Sequence, residues 1–259
     1  MGATITGVVS PKGGVGKTTA SLTIASICAG LLDQKTLLID SDGQNDSTRR
    51  LRHNDKYEST LYDIIVKGLQ PGKVVQKSKY KNLFLLPSDP RLLKLSAKDY
   101  PDDLIPQFML RSVVDPLVKF FDQIIIDSPG YFGDLLKATV CAAHHVLVPI
   151  SLEDDCVNAF ETTRNLIESL TKGKLTRLKG PVRTFFFNMP APSDLTKTQK
   201  LRIDELKEEY TDNFIDIAVP AASTKVLSSN NQNTTLFYGF PNSSVSKKYV
   251  ELTSHLVGR

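Results

Sequence analysis

The stretch SPKGGVGKTT, from Ser10 to Thr19, is typical of a loop that binds phosphate groups. An apolar run from Ile5 to Val9 precedes the loop, and a run compatible with a helix follows from Ala20 to Leu32. Glycines lack a Cβ, so the backbone can turn its N–H groups inward, and the helix that follows adds the positive end of its dipole. The order strand, glycine-rich loop, helix therefore predicts an anion site near the start of the chain.

The polar residues of this loop suit a nucleotide and a magnesium ion. Lys17 supplies a point charge for the β- and γ-phosphates, and the Thr18 hydroxyl is a ligand for magnesium. The general loop pattern has a glycine where this chain has Pro11, and a second lysine, Lys12, follows it. The nucleotide contacts of this loop are expected from Gly13, Gly14, Val15, Gly16, Lys17, Thr18 and Thr19.

The form KGGxGKTT at residues 12–19 resembles the deviant Walker A loop of the ParA/MinD group of P-loop ATPases. The resemblance implies ATP hydrolysis with magnesium. It also implies that Lys12 reaches across a homodimer interface to the partner's nucleotide, so that Lys12 and Lys17 are both catalytic. ATP would then be part of the interface, so ATP favours the dimer and hydrolysis releases it.

A second segment, LLIDSDGQN at residues 37–45, resembles the family motif in which a strand ends in D-x-D-P-Q. The resemblance implies that Asp42 orients or activates the attacking water and contributes to the magnesium site. Gln44 lies in the part that family members move when nucleotide binds. This chain has Gly43 where proline is usual. The alternative is a capped turn with solvated acids.

A third segment, IIIDSPG at residues 124–130, resembles the Walker B motif of the family. A carboxylate at the carboxyl end of a buried strand, beside the phosphate loop, suits magnesium held through water. Asp127 is therefore the expected magnesium residue. Gly130 stands where the family commonly has a second proline.

The later chain continues the resemblance with less specific segments. FFFNMP places Asn188 at a strand end, where relatives use an asparagine near the adenine. VPAASTKVL at residues 219–227 resembles a segment that carries an arginine after the proline. Here Ala221 follows Pro220, and Lys225 is the nearest basic residue. We expect Asn188 and Pro220 to contribute to the nucleotide site.

Strand and helix patterns alternate along the chain, which predicts one P-loop ATPase domain over residues 1–259. Its fold class is α/β, with a doubly wound, mainly parallel sheet and helices on both faces. Pro116 predicts a kink or a late start in a helix over residues 110–121. The stretch from Ser228 to Thr235 is the most loop-like, and its polar residues either line the nucleotide pocket or form a solvated loop. Strands are expected at residues 4–10, 36–40, 83–86, 123–127, 144–150, 183–187 and 214–219, and further helices at 60–66, 154–170 and 196–210 and near the end of the chain.

Composition narrows the class of protein. Of the 259 residues, 41% are apolar, which is enough for a buried core. The three cysteines form no CxxC pair, which favours buried thiols in a reducing cytoplasm. No signal peptide or membrane-spanning run is visible. The phosphate loop begins at residue 10, so we expect no N-terminal DNA-reading domain.

The formal net charge of +4 permits nucleic-acid binding without establishing it. The family resemblance implies that the ATP dimer binds DNA without sequence preference and is associated with the nucleoid. It also implies a ParB-like, centromere-binding adaptor that stimulates hydrolysis during plasmid or chromosome segregation. Any single basic residue is also consistent with a solvated surface. The candidate DNA contacts are Lys174, Arg177, Lys179, Lys197, Lys200, Arg202, Lys225, Lys247 and Lys248.

Other interpretations stay open. A MinD-like membrane-positioning ATPase needs a basic amphipathic tail, whereas KKYVELTSHLVGR is expected to be the last core helix. An ATP-gated scaffold for protein cargo would share every motif. A reductase with an iron–sulfur cluster needs two cysteines at a symmetric interface, and Cys141 and Cys156 are not in glycine-rich loops. The run Arg49, Arg50 and Arg52 contacts a partner, DNA or an activating peptide, or is ordinary surface charge.

Overall fold

A computed structural model of the chain describes residues 2–53, 57–221 and 223–258. Eight strands form one sheet in the order β3-β4-β2-β5-β1-β6-β7-β8. All neighbours are parallel except β3, which pairs antiparallel with β4 at one edge. The strands are β1 Thr4–Val8, β2 Thr36–Asp40, β3 Gln76–Lys77, β4 Leu83–Leu86, β5 Gln123–Asp127, β6 His145–Ile150, β7 Arg183–Met189 and β8 Phe214–Pro220.

Helices cover both faces of this sheet, which confirms the predicted fold class. The longest are α1 (Lys17–Gly30), α7 (Asp154–Lys172), α8 (Lys197–Glu209) and α11 (Ser244–Val257). The shorter ones are α2 Asp46–Leu51, α3 Leu61–Lys67, α4 Pro71–Val74, α5 Met109–Val114, α6 Asp134–Ala142, α9 Ser223–Asn231 and α10 Leu236–Gly239. Short 3₁₀ turns lie at Pro90–Lys94, Ala97–Asp99 and Pro106–Phe108.

The central strands are buried on both faces, which explains their continuous apolar sequences. In β5, Ile124 and Ile126 pack into one apolar cluster, whereas Ile125 packs into the other. The first cluster also contains side chains of α3 and α5 to α8, and the second contains those of α1, α10 and α11. Alternate side chains of each strand thus bind the sheet to a helical layer on either side.

Three sequence-based expectations about elements need correction. The helix predicted over residues 110–121 ends at Val114, two residues before Pro116, because Pro116 has no backbone N–H to continue the helical hydrogen bonds. Strand β1 ends at Val8 rather than Ser10, since the chain already turns into the loop. The segment from Ser228 to Thr235 is not mainly a loop, because α9 continues to Asn231 and buries Ser229.

Candidate functional site

The phosphate loop lies at the carboxyl edge of the sheet, between β1 and α1. Gly14 and Gly16 have φ angles of 77° and 83°, which lie in the left-handed region that favours glycine. The ring of Phe187 packs against Gly16 so closely that a Cβ there would lie 2.4 Å from its Cζ. Phe187 comes from β7 and was not predicted, since no spacing in the sequence links it to the loop.

Lys17 is held inside the curve of the loop. Its side chain is buried, and its Nζ donates a hydrogen bond to the carbonyl oxygen of Lys12 at 2.8 Å. Burial lowers the pKa of Lys17, and the nearby carboxylates of Asp127 and Asp42 oppose this effect. The ammonium group is therefore positioned for an anion before any ligand binds.

Asp127 ends β5 beside Asp40, its register partner at the end of β2. Its two carboxylate oxygens accept hydrogen bonds from Ser47 Oγ at 2.7 Å and Ser21 Oγ at 3.1 Å. Burial raises the pKa of Asp127 to about 6, although hydrogen bonds from Ser47, Thr18 and Ser21 oppose the rise. This carboxylate is fixed directly behind the Thr18 hydroxyl.

The paired acids at the end of β2 have different environments. Asp40 is fully buried and accepts hydrogen bonds from the backbone amide and hydroxyl of Thr48 at 2.8 and 2.7 Å, so it anchors α2. Asp42 faces the space above the loop, accepts a hydrogen bond from the amide of Gln44 at 3.0 Å and lies near the amide of Gly130. Burial raises the pKa of Asp42, and these amides and Lys17 oppose the rise. Only Asp42 of the two is available to a ligand.

Both departures from the family pattern have a structural reason. A Cβ at Gly43 would lie 2.5 Å from Leu93 Cγ and 2.9 Å from its backbone nitrogen, so Leu93 occupies the space a proline ring would need. The amide of Gly130 lies near Asp42 and helps to lower its pKa, which a proline without an amide hydrogen could not do. A Cβ there would also lie 3.2 Å from Lys17 Nζ.

These elements enclose an open cavity of about 480 Å³, within the range of small-molecule sites. It is polar at the loop and carries exposed or half-buried apolar side chains around its rim. Leu93, Tyr131 and Arg50 belong to its wall and were not predicted as site residues, because each lies outside the recognised motif positions. The lining residues are Gly13, Gly14, Gly16, Lys17, Thr18, Thr19, Asp42, Gln44, Asp46, Arg50, Leu93, Gly130, Tyr131, Phe187 and Val226.

Not all of the expected nucleotide residues line this cavity with their side chains. The side chain of Val15 is buried, although its backbone belongs to the loop. Pro220 lines a separate, mainly apolar cavity of about 680 Å³ beside edge strand β8, together with Met189 and Lys247. The side chain of Asn188 lies outside what the structure describes.

The oxygen donors at the loop fit a magnesium ion. The Thr18 hydroxyl and the carboxylates of Asp42 and Asp127 are hard oxygen ligands of the kind that Mg²⁺ prefers. No group of three or more His, Cys, Asp or Glu side chains within the described ranges forms a metal site by itself. A magnesium ion here therefore needs phosphate oxygens and water as further ligands, as is usual for nucleotide-bound magnesium.

Lys12 points away from the cavity and pairs within its own chain. Its Nζ lies 3.1 Å from Glu153 Oε2 and 3.9 Å from Asp155 Oδ2, at the start of α7. The hydrogen bond with Glu153 raises the pKa of Lys12. The family-based expectation that Lys12 contacts a partner's nucleotide requires this pair to open.

The candidate DNA residues do not form one patch. Lys174, Arg177 and Lys179 precede β7 at the amino edge of the sheet, where the Lys179 amide donates to the carbonyl of His144. Arg177 is largely covered and pairs with Asp115 at 2.7 Å. At the opposite end, Lys197, Lys200 and Arg202 lie in the first turns of α8, and Lys225, Lys247 and Lys248 lie on α9 and α11. Arg202 and Lys248 pair with Glu205 and Glu251 of their own helices.

None of the described helices has the length and apolar character needed to cross a membrane.

Comparisons with known proteins agree with this geometry. Residues 3–179 match the AAA_31 family, described as an AAA domain. Maintenance of carboxysome distribution protein A of Gloeothece citriformis is 31% identical over 64% of this chain and 63% of its own length. Chromosome partitioning protein ParA of Myxococcus xanthus is 28% identical over 66% of this chain and 60% of its own. The chain thus spans less than two thirds of either relative.

A solved structure extends the similarity to the whole fold. The ATP complex of a Cyanothece McdA variant superposes with a TM-score of 0.83 at 25% identity, and covers 99% of this chain and 96% of that one. The agreement includes β7, β8 and α8 to α11, which lie beyond the family match.

Proposed function

Because the chain belongs to the ParA/MinD family of ATPases, we propose that it is an ATP-driven switch that segregates or positions a cargo. In this proposal the chain dimerises when ATP and magnesium are bound and then binds DNA without sequence preference. A ParB-like adaptor stimulates hydrolysis, which returns the chain to monomers. The observation that carries the proposal is the convergence of Lys17, Thr18 and Asp42 in the wall of one cavity of about 480 Å³, with the buried Asp127 beside Lys17 and Thr18.

The chemistry follows from charge placement. Hydrolysis of a phosphoanhydride depends on positioning and on neutralising the phosphate oxygens more than on covalent help. From its position in the loop, Lys17 neutralises charge on the phosphate oxygens. Thr18 and Asp127 would hold a magnesium ion, which would screen the phosphates further. Asp42 positions the attacking water, because the amide of Gln44 holds its carboxylate by a hydrogen bond.

We expect slow turnover, as suits a timing switch. Asp42 is oriented by hydrogen bonds, but no histidine lines the cavity among the described residues to serve as a stronger base. A steady-state rate well below about 10 per second, the median of ordinary enzymes, is the expected result. A much faster rate with ATP alone contradicts the timing role.

The decisive experiment is a DNA-binding titration with ATP, ADP and no nucleotide. The unaltered chain should bind only with ATP, and the affinity should fall steeply with salt, because phosphate contacts release counterions. Lys12→Ala should lose DNA binding with ATP but keep ATP binding, whereas Lys17→Ala should lose both. Salt-insensitive binding, or binding without nucleotide, would count against the proposal.

A further inference from the structure

The neighbouring arginines of α2 occupy opposite environments. Arg49 lies on the surface and forms an ion pair with Asp46. Arg50 is only 9% exposed and lies in the wall of the phosphate cavity with Lys17, Thr18 and Asp42. The sequence alone favoured ordinary surface charge for this run, and for Arg50 that interpretation is wrong.

The guanidinium of Arg50 has no direct ion-pair partner. Across residues 2–53, 57–221 and 223–258, no carboxylate lies within ion-pair distance of it. Two carboxylates stabilise its charge from farther away: Asp46, which pairs with Arg49, and Asp127, which accepts hydrogen bonds from Ser21 and Ser47. Burial lowers the pKa of Arg50, so its environment disfavours the charge that it carries.

A buried cation without a counterion is costly, and the cost is removed when an anion occupies the space beside it. The guanidinium has five N–H donors in a planar fork, which matches the geometry of phosphate oxygens. Arg50 and Lys17 of the phosphate loop are the cations in the wall of this cavity, which also carries the carboxylates of Asp42 and Asp46. The anion that fits both is a polyphosphate chain.

We propose that Arg50 is a substrate-binding residue that donates hydrogen bonds to the phosphate oxygens of the bound nucleotide from the same chain as the phosphate loop. This inference rests on the proposed ATPase function and adds to it a cation outside the recognised motifs. A dimer would then present Lys12 from one chain and Lys17 and Arg50 from the other to each nucleotide.

The test compares Arg50→Met with Arg49→Met in thermal unfolding and in calorimetric titration with ATP and magnesium. Methionine keeps the unbranched stem and removes the charge. Without nucleotide, Arg50→Met should melt at or above the temperature of the unaltered chain, because it removes a buried charge that has no direct ion-pair partner. Its affinity for ATP should fall about 10- to 100-fold, the usual effect of losing a charged hydrogen bond. Arg49→Met should change the affinity by less than about twofold, as expected for an exposed pair.

A purely structural role for Arg50 gives the opposite pattern. The nucleotide-free variant would then melt at a lower temperature and retain its affinity for ATP, which would overturn the inference. An Arg50→Met chain that binds and hydrolyses ATP like the unaltered chain overturns this inference alone and leaves the proposed function intact. An unaltered chain that binds no ATP overturns both.

Discussion

Two lysines of one loop have separate tasks because their surroundings differ. Lys17 is enclosed by the loop and donates to a backbone carbonyl, so its position is set by the fold. Lys12 reaches outward to Glu153, whose side chain is 74% exposed. An exposed pair of this kind is weak and opens readily. The loop therefore combines one fixed cation with one that can change partner.

We expect Glu153→Gln to strengthen the ATP-dependent dimer, provided that Lys12 acts across the interface. Glutamine lacks the charge that holds Lys12 within its own chain, so more of the population has this side chain free. The gain should be modest, less than about tenfold in the dimer dissociation constant, because exposed pairs contribute little. Light scattering with ATP over a concentration series measures it.

Asp154→Asn is the matched control. It removes the same charge from the same first turn of α7, but Asp154 does not pair with Lys12 in the described structure. Equal dimerisation of the two variants would mean that the Glu153 contact does not restrain Lys12.

At the scale of elements, the histidine before β6 joins two strands. The amide of Ile5 donates to His144 Nδ1 at 3.2 Å, and the His144 amide donates to the Ile5 carbonyl at 2.8 Å. Burial, together with the charges of Lys179, Arg177 and His145, lowers the pKa of His144 to about 4, while Asp115 opposes this shift. The ring is therefore neutral and accepts a hydrogen bond that the protonated form cannot accept.

This linkage predicts a loss of stability in mild acid. The pKa of His144 is lower in the folded chain than the usual 6.5 of the unfolded chain, so the unfolded state binds more protons as the pH falls from about 6.5 to 4. The contribution of neutral His144 to the free energy of unfolding is fully present above about pH 6.5 and is lost progressively as the pH falls from about 6.5 to 4. His144→Gln still offers a hydrogen-bond acceptor but cannot be protonated. It should reduce the acid-induced loss of unfolding free energy by roughly 1 to 2 kcal/mol, a range that allows for the partial exposure of the side chain.

Urea unfolding at pH 7.5, 5.5 and 4.5 measures this difference. His255→Gln on the exposed face of α11 is the control, since its side chain faces solvent in the folded chain. If the two variants lose stability in parallel, His144 is not the group that titrates.

The elements themselves were predictable where local sequence and tertiary packing agree. The runs TLLID and QIIID form the strands expected, with the expected bounds, because burial on both faces requires continuous apolar residues. The polar α9 was missed because its partial burial depends on distant partners. The two-residue β3 was missed because Gln76 and Lys77 have no strand pattern of their own. They form a strand only by pairing with β4.

The molecule as a whole determines which motif residues meet. Asp42 was predicted from the family motif and Asp127 from its place at the end of a buried strand, and both lie near Lys17 of the loop. Phe187, Leu93 and Arg50 were not predicted, because their role depends on tertiary placement rather than on spacing. Residues that belong to a local motif can be predicted from the sequence, whereas the other residues that line the cavity are brought together only by the tertiary structure.

The same argument applies to DNA binding, because the candidate residues lie at opposite ends of the sheet. ATP can control only a surface that responds to the nucleotide, and the nucleotide cavity is at the carboxyl edge. We therefore expect Lys200→Glu with Lys247→Glu, near that edge, to abolish salt-sensitive DNA binding while ATP binding stays unchanged. Lys174→Glu with Lys179→Glu makes the same charge change at the amino edge and should leave most of the affinity.

Fluorescence anisotropy with ATP across a salt series measures the DNA affinity of both double variants. Single neutralising substitutions at Lys200 and Lys247 should each reduce the salt slope by about 0.9. Loss of binding only in the amino-edge variant would place the DNA on the face remote from the nucleotide, and ATP control would then need a change transmitted through the sheet.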